Sequence, residues 1–280
     1  MNRLLLCTDM DRTIIPNGRQ PEHPQARRFF KQLCNFPDVN LVYVTGRHLQ
    51  LLEDALQEYN LPEPDYAITD VGTKIYKRTY SDWQALESWQ DQIAKDWQGK
   101  THVQLQKLLS KVSELQPQEQ SKQSDYKLSY YLPLNADHKT ILSEVEDVLV
   151  GYGVAASLVM SIDAPAQIGL LDVLPERATK LHAILFLQQQ LGYPLDEIIF
   201  SGDSGNDLIV LGSQVPSILV ANADKEVKQQ AVQRAKDNGN TESLYLAEER
   251  GFCLGGNYSA GVVQGIIHYI PEIRDRLEMP

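Results

Sequence analysis

The fold of this chain is decided by a stretch near its start, LLLCTDMDRT, residues 4–13. The segment Leu4–Thr8 is a short, almost wholly apolar run, which predicts a β-strand that is buried on both faces of a parallel sheet. Asp9 and Asp11 follow the run directly. The stretch therefore predicts functional groups at the carboxyl end of a buried strand.

Alternating strands and helices continue on both sides of a different middle region. The predicted strands are Asn40–Thr45, Asp65–Thr69, Ile168–Leu174, Glu197–Ser201 and Ile218–Ala221, and the predicted helices are Pro24–Leu33, His48–Tyr59, Thr179–Leu191 and a last one before His268. This alternation predicts an α/β fold with a Rossmann-like, doubly wound parallel sheet.

The middle region, residues 81–164, has a different texture. Ten glutamines lie in residues 84–123, and all three tryptophans lie between residues 83 and 97. The pattern predicts a small inserted α/β unit with helices over 83–97, 102–115 and Asp137–Tyr152 and strands over Tyr126–Leu132 and Ala155–Ile162. We therefore expect a core domain from residues 1–80 and 165–280, and an inserted cap domain from residues 81–164.

The tryptophans of the insert allow two interpretations. They could form an aromatic platform for a sugar. However, Leu86, Trp89, Ile93 and Trp97 follow helical spacing, which favours ordinary core packing.

Composition and charge narrow the possible partners. The chain has 280 residues and a net charge of −11, which argues against binding nucleic acid because that requires a cationic surface. An apolar stretch of 18 residues is absent from the sequence, so we expect no membrane span. The three cysteines are scattered and odd in number, which suits a reducing compartment. We expect a cytoplasmic protein.

Four segments carry the candidate chemistry: residues 9–13, residues 44–47, Lys180 and residues 202–207, the last reading GDSGND. Three of them directly follow a predicted strand. Functional groups of an open parallel sheet gather beyond the carboxyl ends of its strands. We therefore expect the polar side chains of these segments to converge on one crevice: Asp9, Asp11, Thr45, Asp203 and Asp207.

Several carboxylates this close together cannot all stay ionised unless a cation joins them or some of them become protonated. Two carboxylates about 4 Å apart repel each other by roughly 4 kcal/mol at an effective dielectric constant near 20. An all-oxygen set of ligands suits Mg²⁺ rather than zinc. The predicted metal-site residues are Asp9, Asp11, Asp203 and Asp207. Asp203 is expected to bind the metal directly, while Asp207 and Asn206 fix its waters and orient Lys180.

The same residues predict a phosphohydrolase. Asp9 is placed to attack phosphorus and form an aspartyl-phosphate intermediate. Asp11 is expected to act as general acid and then as general base, with its pKa raised by the surrounding negative charge. Thr45 donates a hydrogen bond to the phosphoryl oxygens, and Lys180 supplies positive charge to them. Asp9, Asp11, Thr45 and Lys180 are thus the predicted catalytic residues.

All four segments, in this order, resemble the haloacid-dehalogenase superfamily. Several further segments make the chain similar, within that superfamily, to the sucrose-phosphate phosphatases: residues 44–47, 64–76, 126–130, 172–175 and 200–207. The resemblance implies a cap over the active site, inserted between the second and third motifs. It also implies that Mg²⁺ is held by Asp9, by the carbonyl of Asp11 and by Asp203.

The resemblance further implies which residues contact the substrate. Lys127 of the cap is expected to contact the sugar together with Gly46 and Arg47 of the core. Asp172 and Asn206 lie in the matching segments, and we include them among the predicted substrate-binding residues. The implied substrate is a small sugar phosphate, and the implied functional partner is a sugar-phosphate synthase that supplies it.

The chain departs from the family pattern at a few positions. Arg12 replaces the usual glycine or asparagine of the first motif, the lysine motif continues as Lys180-Leu-His182, and residues 257–261 lack an expected histidine. These departures leave the residues of the phosphate chemistry unchanged. They concern the identity of the sugar.

Several functions fit this sequence. The first is release of sucrose and phosphate from sucrose 6-phosphate. The same chemistry could act on mannosyl-3-phosphoglycerate, a glucosylglycerate-type phosphate or mannosylfructose phosphate. A phosphomutase would share the intermediate and return the phosphate to sugar. A phosphorylated receiver module is disfavoured, since receivers have neither the large insert nor the second aspartate.

Overall fold

Two β-sheets organise the computed structural model, which describes residues 3–80, 82–163, 166–250 and 252–279. The strands are β1 (Leu4–Thr8), β2 (Val39–Val44), β3 (Tyr66–Thr69), β4 (Lys74–Arg78), β5 (Trp83–Ala85), β6 (Gln116–Pro117), β7 (Leu128–Pro133), β8 (Ala156–Asp163), β9 (Ile168–Pro175), β10 (Ile198–Gly202), β11 (Ser217–Leu219) and β12 (Leu244–Leu246). In the described residues the larger sheet has the order β12-β11-β10-β1-β2-β3-β4-β5, and the smaller has the order β6-β7-β9-β8.

The centre of the larger sheet is parallel. Strand β1 lies between β10 and β2, and β3, β11 and β12 continue the parallel arrangement. Strands β4 and β5 extend one edge in antiparallel orientation. Thr8, the last residue of β1, pairs with Ser201 and Tyr43. The three central strands therefore end at the same level.

Helices cover both faces of the larger sheet. The helices are α1 (Ala26–Cys34), α2 (Leu49–Glu58), α3 (Glu87–Ala94), α4 (His102–Leu109), α5 (His138–Gly151), α6 (Lys180–Leu191), α7 (Leu208–Leu211), α8 (Lys225–Asp237), α9 (Ser259–Tyr269) and α10 (Ile273–Arg276). One face packs against α1, α2, α9 and α10, and the other packs against α3, α6, α7 and α8. Helices α4 and α5 cover the smaller sheet. The predicted doubly wound α/β fold with a smaller inserted α/β unit is confirmed.

The alternation of side chains along β1 explains why this strand is apolar throughout. Leu4 and Leu6 belong to the core on one face, and Leu5 and Cys7 to the core on the other. Full burial of one leucine side chain stabilises the fold by about 1.5–3 kcal/mol. The strand is therefore held from both sides.

Among the described residues, none of the helices is both long and apolar enough to cross a membrane.

Three predicted elements differ from the structure. Trp83–Ala85 is a strand that pairs with β4, not the start of a helix. The Trp83 ring lies edge-on to the Tyr76 ring, with the ring centroids 6.5 Å apart. The predicted helix over 102–115 ends at Leu109. The strand over Ile168–Leu174 forms, but it pairs with β7 and β8 in the smaller sheet rather than with the larger one. An apolar strand does not reveal by its sequence which of two sheets it joins.

The predicted domain boundaries at 80/81 and 164/165 fall on Ser81, Ala164 and Pro165, which lie outside the described residues. The division into two domains therefore stays a prediction.

The core-packing interpretation of the tryptophans is confirmed. Trp89 and Ile93 are buried in the core of the larger sheet, with Leu86 packed against that core. Trp97 is buried in the core of the smaller sheet. The first helical segment of the predicted insert thus packs against both sheets.

Candidate active site

The candidate active site lies where the three central strands end. Asp9 follows β1, Thr45 follows β2 and Asp203 follows β10. Because these strands are parallel neighbours, their carboxyl ends meet at one edge of the sheet. A cleft of about 320 Å³ at this edge is lined by Asp9, Asp11, Arg12, Thr45, Gly46, Arg47, Leu51, Asp203, Ser204 and Asn206.

Lys180 connects two of the predicted carboxylates. Its Nζ lies 2.7 Å from Asp207 Oδ1 and 3.1 Å from Asp9 Oδ1, and the side chains of Lys180 and Asp207 are fully buried. Burial alone lowers the pKa of Lys180, but the charges of Asp207 and Asp9 outweigh it and raise that pKa well above its ordinary value. Lys180 therefore stays protonated beside Asp9.

Two buried carboxyl groups have raised pKa values. Burial raises the pKa of Asp203 to about 8, and the charges of Asp207 and Asp9 add to the effect. Burial also raises the pKa of Asp9, which Lys180 opposes and Asp207 reinforces. Removing these carboxylates from water disfavours their ionised forms, and the two groups need positive charge in order to ionise together.

The arrangement around Asp203 fits a divalent cation. One carboxylate oxygen from each of Asp9, Asp203 and Asp207 lies within 4.8 Å of the others. Asp203 Oδ2 is buried and accepts no hydrogen bond from any residue that the structure describes. Asp9, Asp203 and Asp207 each offer a carboxylate oxygen here, which is the donor type that Mg²⁺ prefers. A buried carboxylate oxygen is costly unless a positive charge or a hydrogen bond meets it, and the charge that meets this one is the Arg12 guanidinium, whose Nε lies 3.3 Å away.

The two oxygens of Asp207 already have partners within the protein. Oδ1 accepts from Lys180, and Oδ2 accepts from the backbone amides of Asp203 and Ser204 at 3.1 and 3.0 Å. Asp9 and Asp203 are therefore better placed to bind a metal directly. Asp207 instead fixes the loop that presents Asp203 and orients Lys180.

Asp11 is held by an arginine in this structure. Arg47 donates two hydrogen bonds to the Asp11 carboxylate, both at 2.7 Å, and Asn17 Nδ2 donates a third at 2.7 Å. Partial burial alone raises the pKa of Asp11, but Arg47 outweighs it and holds this pKa below its ordinary value. The predicted raised pKa of Asp11 is therefore wrong for this structure. The bidentate partner lies 36 residues away in sequence.

The loop after β2 presents Thr45, Gly46 and Arg47 to the cleft. Thr45 is buried, and its Oγ1 accepts a hydrogen bond from the backbone amide of Arg47 at 3.2 Å. A Cβ added to Gly46 would meet only Val71, at 3.9 Å. The loop thus leaves space above Thr45 for a ligand.

Arg12 adds a cation at the mouth of the cleft. Its Nε lies 3.3 Å from Asp203 Oδ2, and its guanidinium also contacts Asp224 at 3.3 Å. Asn222 Nδ2 donates to the carbonyl of Arg12 at 2.6 Å, and Asn222 Oδ1 accepts from the backbone amide of Tyr258 at 2.8 Å. Sequence reasoning missed Asn222, although it directly follows the predicted strand Ile218–Ala221 and the strand-end rule could have found it.

Two of the predicted substrate-binding residues belong to the region of the smaller sheet, outside the residues that line the cleft: Asp172 lies on β9 and Lys127 directly precedes β7. Lys127 Nζ is 3.5 Å from Asp172 Oδ2, and Ser129 Oγ donates to Asp172 Oδ1 at 2.5 Å. Burial raises the pKa of Asp70, and the charge of Lys127 is the main opposing effect. Lys127 thus lies near the turn that follows β3.

Asn206 lies between two cavities. It lines the cleft and also a second cavity of about 300 Å³, whose other walls include Lys180, Val71 and Val159 of the smaller sheet. Its Oδ1 accepts a hydrogen bond from Ser204 Oγ at 2.8 Å. The predicted orientation of Lys180 by Asn206 is not seen among these contacts, because Asp207 holds the lysine.

We expect Mg²⁺ to stabilise the protein more at pH 8.5 than at pH 6. The pKa of Asp203 is about 8 in the metal-free fold and ordinarily 3.8, so the folded chain keeps a proton that the unfolded chain releases. The stability contributed by this group therefore falls as pH rises from about 4 to 8. Metal binding displaces that proton and becomes easier over the same window.

Thermal unfolding with and without Mg²⁺ at the two pH values measures this effect. Asp203→Asn should remove most of the increment at both. Equal increments in the parent protein at pH 6 and pH 8.5 would contradict the assignment.

Comparison with known proteins gives three results. A family model described as sucrose-6F-phosphate phosphohydrolase matches residues 2–270. A protein of Nitrosococcus oceani named "Putative HAD-like hydrolase" is 46% identical over 276 residues, which cover 99% of this chain and 74% of that protein. The mannosylfructose-phosphate phosphatase of Agrobacterium fabrum is 29% identical over 266 residues, covering 95% of this chain and 96% of that protein.

A solved structure agrees with these matches. The sucrose-phosphatase of Synechocystis sp. PCC6803, solved in complex with sucrose and phosphate, aligns with a TM-score of 0.74 and 25% identity. The alignment covers 96% of this chain and 98% of that one. Both sheets of this chain therefore fall within the region of likeness.

Proposed function

Because the chain belongs to the sucrose-6F-phosphate phosphohydrolase family, whose members are phosphoric monoester hydrolases, we propose that it hydrolyses sucrose 6-phosphate to sucrose and phosphate with the help of Mg²⁺. The observation that carries the chemistry is the buried set of Asp9, Lys180 and Asp207 beside Asp203. A protonated lysine next to the attacking carboxylate can stabilise the negative charge that a phosphate group brings into the site.

In the first step, an oxygen of Asp9 attacks phosphorus while the bond from phosphorus to the sugar oxygen breaks. Asp11 gives a proton to the departing sugar oxygen. In the second step, Asp11 takes a proton from water as that water attacks the phosphorus, which releases phosphate and restores Asp9.

Charge around the phosphoryl group comes from several sources. Mg²⁺, when bound by Asp9 and Asp203, supplies positive charge to the phosphoryl oxygens. Lys180, whose Nζ lies 3.1 Å from Asp9 Oδ1, provides a second positive charge, and the Thr45 hydroxyl would donate a hydrogen bond to the phosphoryl group. Lys180 and Thr45 are buried and already held by protein partners, so these two residues need little reorganisation during the reaction.

Asp11 must exchange partners before it can donate a proton. Its carboxylate is paired with Arg47 in the free protein. A substrate phosphate is an equally suitable bidentate partner for a guanidinium. We propose that the incoming phosphate draws Arg47 away from Asp11, which raises the pKa of Asp11 at the moment when an acid is needed.

The substrate assignment rests on the likeness to the sucrose-phosphatase solved with sucrose and phosphate. Mannosylfructose phosphate is the second candidate, because a phosphatase named for it aligns along nearly its whole length. The proposed sugar contacts on the smaller sheet are Lys127 and Asp172. A synthase that joins two sugars and leaves one phosphorylated would supply either substrate. The proposed location is the cytoplasm, where a reducing environment preserves the free thiols of this chain.

A panel of phosphate esters tests this proposal. We expect kcat/KM for sucrose 6-phosphate to exceed that for glucose 6-phosphate and fructose 6-phosphate by at least about tenfold, since unpaired polar groups penalise a missing sugar ring. Release of free phosphate is the readout.

The other outcomes are also informative. If kcat/KM is highest for mannosylfructose phosphate by the same margin, that ester replaces sucrose 6-phosphate as the proposed substrate. Equal rates for all esters would reject a disaccharide substrate. An isomerised sugar phosphate without free phosphate would indicate a phosphomutase instead.

A further inference from the structure

A turn directly after β3 has an unusual backbone. Asp70, Val71 and Gly72 have φ angles of 50°, 62° and 105°. Glycine adopts such angles readily, whereas a β-branched residue such as Val71 rarely does. Surrounding contacts must therefore hold the turn in this conformation.

One side of the turn holds the loop that carries Thr45. The Asp70 amide donates to the carbonyl of Arg47 at 3.0 Å, and the Val71 amide donates to the carbonyl of Thr45 at 3.2 Å. These two hydrogen bonds fix both ends of the three-residue loop 45–47. The position of the Thr45 hydroxyl in the cleft thus depends on the turn.

The other side of the turn presses on the start of α6. A Cβ built on Gly72 would lie 2.6 Å from the carbonyl carbon of Thr179 and 2.9 Å from the backbone nitrogen of Lys180. Only glycine can approach the backbone this closely. The turn therefore touches both the Thr45 loop and the residue that carries the buried ammonium group.

Trp89 of α3 ties this turn to α6. Its Nε1 donates a hydrogen bond to the carbonyl of Gly72 at 3.0 Å. Its side chain is 1% exposed and packs on Phe186 of α6, with the ring centroids 5.1 Å apart. A single indole thus contacts the turn through its N–H and the Lys180 helix through its ring.

We propose that Trp89 is a positioning residue for the phosphatase reaction: it holds the Asp70–Gly72 turn so that the Thr45 loop and Lys180 keep their separation across the phosphate site. The inference rests on the proposed function, because it assigns Trp89 to that same site. Trp89 itself does not line the cleft.

Trp89→Phe is the test, since it removes the N–H and keeps an aromatic ring against Phe186. We expect kcat to fall by about tenfold or more, because small misplacement of groups around a reacting phosphate is costly to rate. KM should change far less than kcat, since the cleft that admits the substrate remains.

Trp97→Phe is the matched control. Trp97 is fully buried, packs on Tyr126 at 5.5 Å, and its Nε1 has no hydrogen-bond partner in the part of the chain that the structure describes. The phosphatase activity of the Trp97→Phe protein should stay near that of the parent. If both variants lose activity in proportion to their loss of thermal stability, the role of Trp89 is merely structural and the proposal falls.

Amide hydrogen exchange supplies a readout that does not depend on turnover. The Asp70 and Val71 amides should exchange faster in Trp89→Phe than in the parent or in Trp97→Phe. Unchanged exchange would overturn the inference and leave the proposed function standing. A parent protein that hydrolyses no sugar phosphate would overturn both.

Discussion

Asp9→Asn is expected to lower phosphatase activity by about 10⁴-fold or more, as loss of the nucleophile does in enzymes that form covalent intermediates. The amide has nearly the same shape and cannot form the aspartyl phosphate. Lys180 keeps its 2.7 Å contact with Asp207, so the buried lysine retains a partner. The substitution also removes one charge from a crowded group of carboxylates, and we expect the metal-free protein to unfold at a temperature no lower than the parent at pH 8.

Phosphate release under saturating substrate and Mg²⁺ measures the activity, and thermal unfolding checks the fold. Asp54→Asn, on α2 and away from the cleft, is the control and should stay within about twofold of the parent. An Asp9→Asn protein that keeps more than a tenth of the parent activity would remove Asp9 from the chemistry.

Lys180→Met is expected to cost about 3–5 kcal/mol of unfolding free energy at pH 8, the usual penalty when one partner of a buried ion pair is removed. Asp9 and Asp207 would then lie buried without the cation between them. Lowering the pH should shrink the penalty, because Asp9 and Asp203, whose pKa values are raised, take up protons and the uncompensated charge falls. Activity should fall with stability, and added Mg²⁺ should recover stability better than turnover.

Urea unfolding at pH 8 and pH 5 without metal tests this pH dependence. Lys107→Met, an exposed lysine on α4, provides the matched control and should change stability by no more than about 0.5 kcal/mol. A Lys180→Met penalty that is the same at both pH values would show that the lost contacts are not electrostatic.

The strand-end residues were predictable because a local rule governs them. Asp9, Thr45 and Asp203 each follow a buried parallel strand, and neighbouring strands bring their ends together whatever the sequence distance. The same reasoning extends to Asn222, which we did not single out. Local pattern was enough here because register in a parallel sheet is set by apolar side chains that the sequence displays.

Other features depend on long-range partners that no local pattern reveals. The ion pair between Asp11 and Arg47 reverses the expected shift in the pKa of Asp11. Val71 has a left-handed φ in a turn that hydrogen-bonds to the Thr45 loop. Strand β9 lies in the smaller sheet, where it pairs with β7 and β8. Each outcome is decided by tertiary contacts rather than by propensity.

The central place of β1 has a consequence for how the chain is made. Its first neighbour, β2, is synthesised soon after it, whereas its second neighbour, β10, begins only at Ile198. At about 5–20 residues per second, the ribosome leaves one side of β1 without a partner for roughly 10 to 40 seconds.

An apolar strand with an open edge is prone to pair with other chains during that delay. We therefore expect nascent chains shorter than about 200 residues to bind chaperones strongly, since they contain β1 and lack β10. Release should coincide with emergence of the segment that ends at Gly202, which is also the moment when Asp9 first meets Asp203.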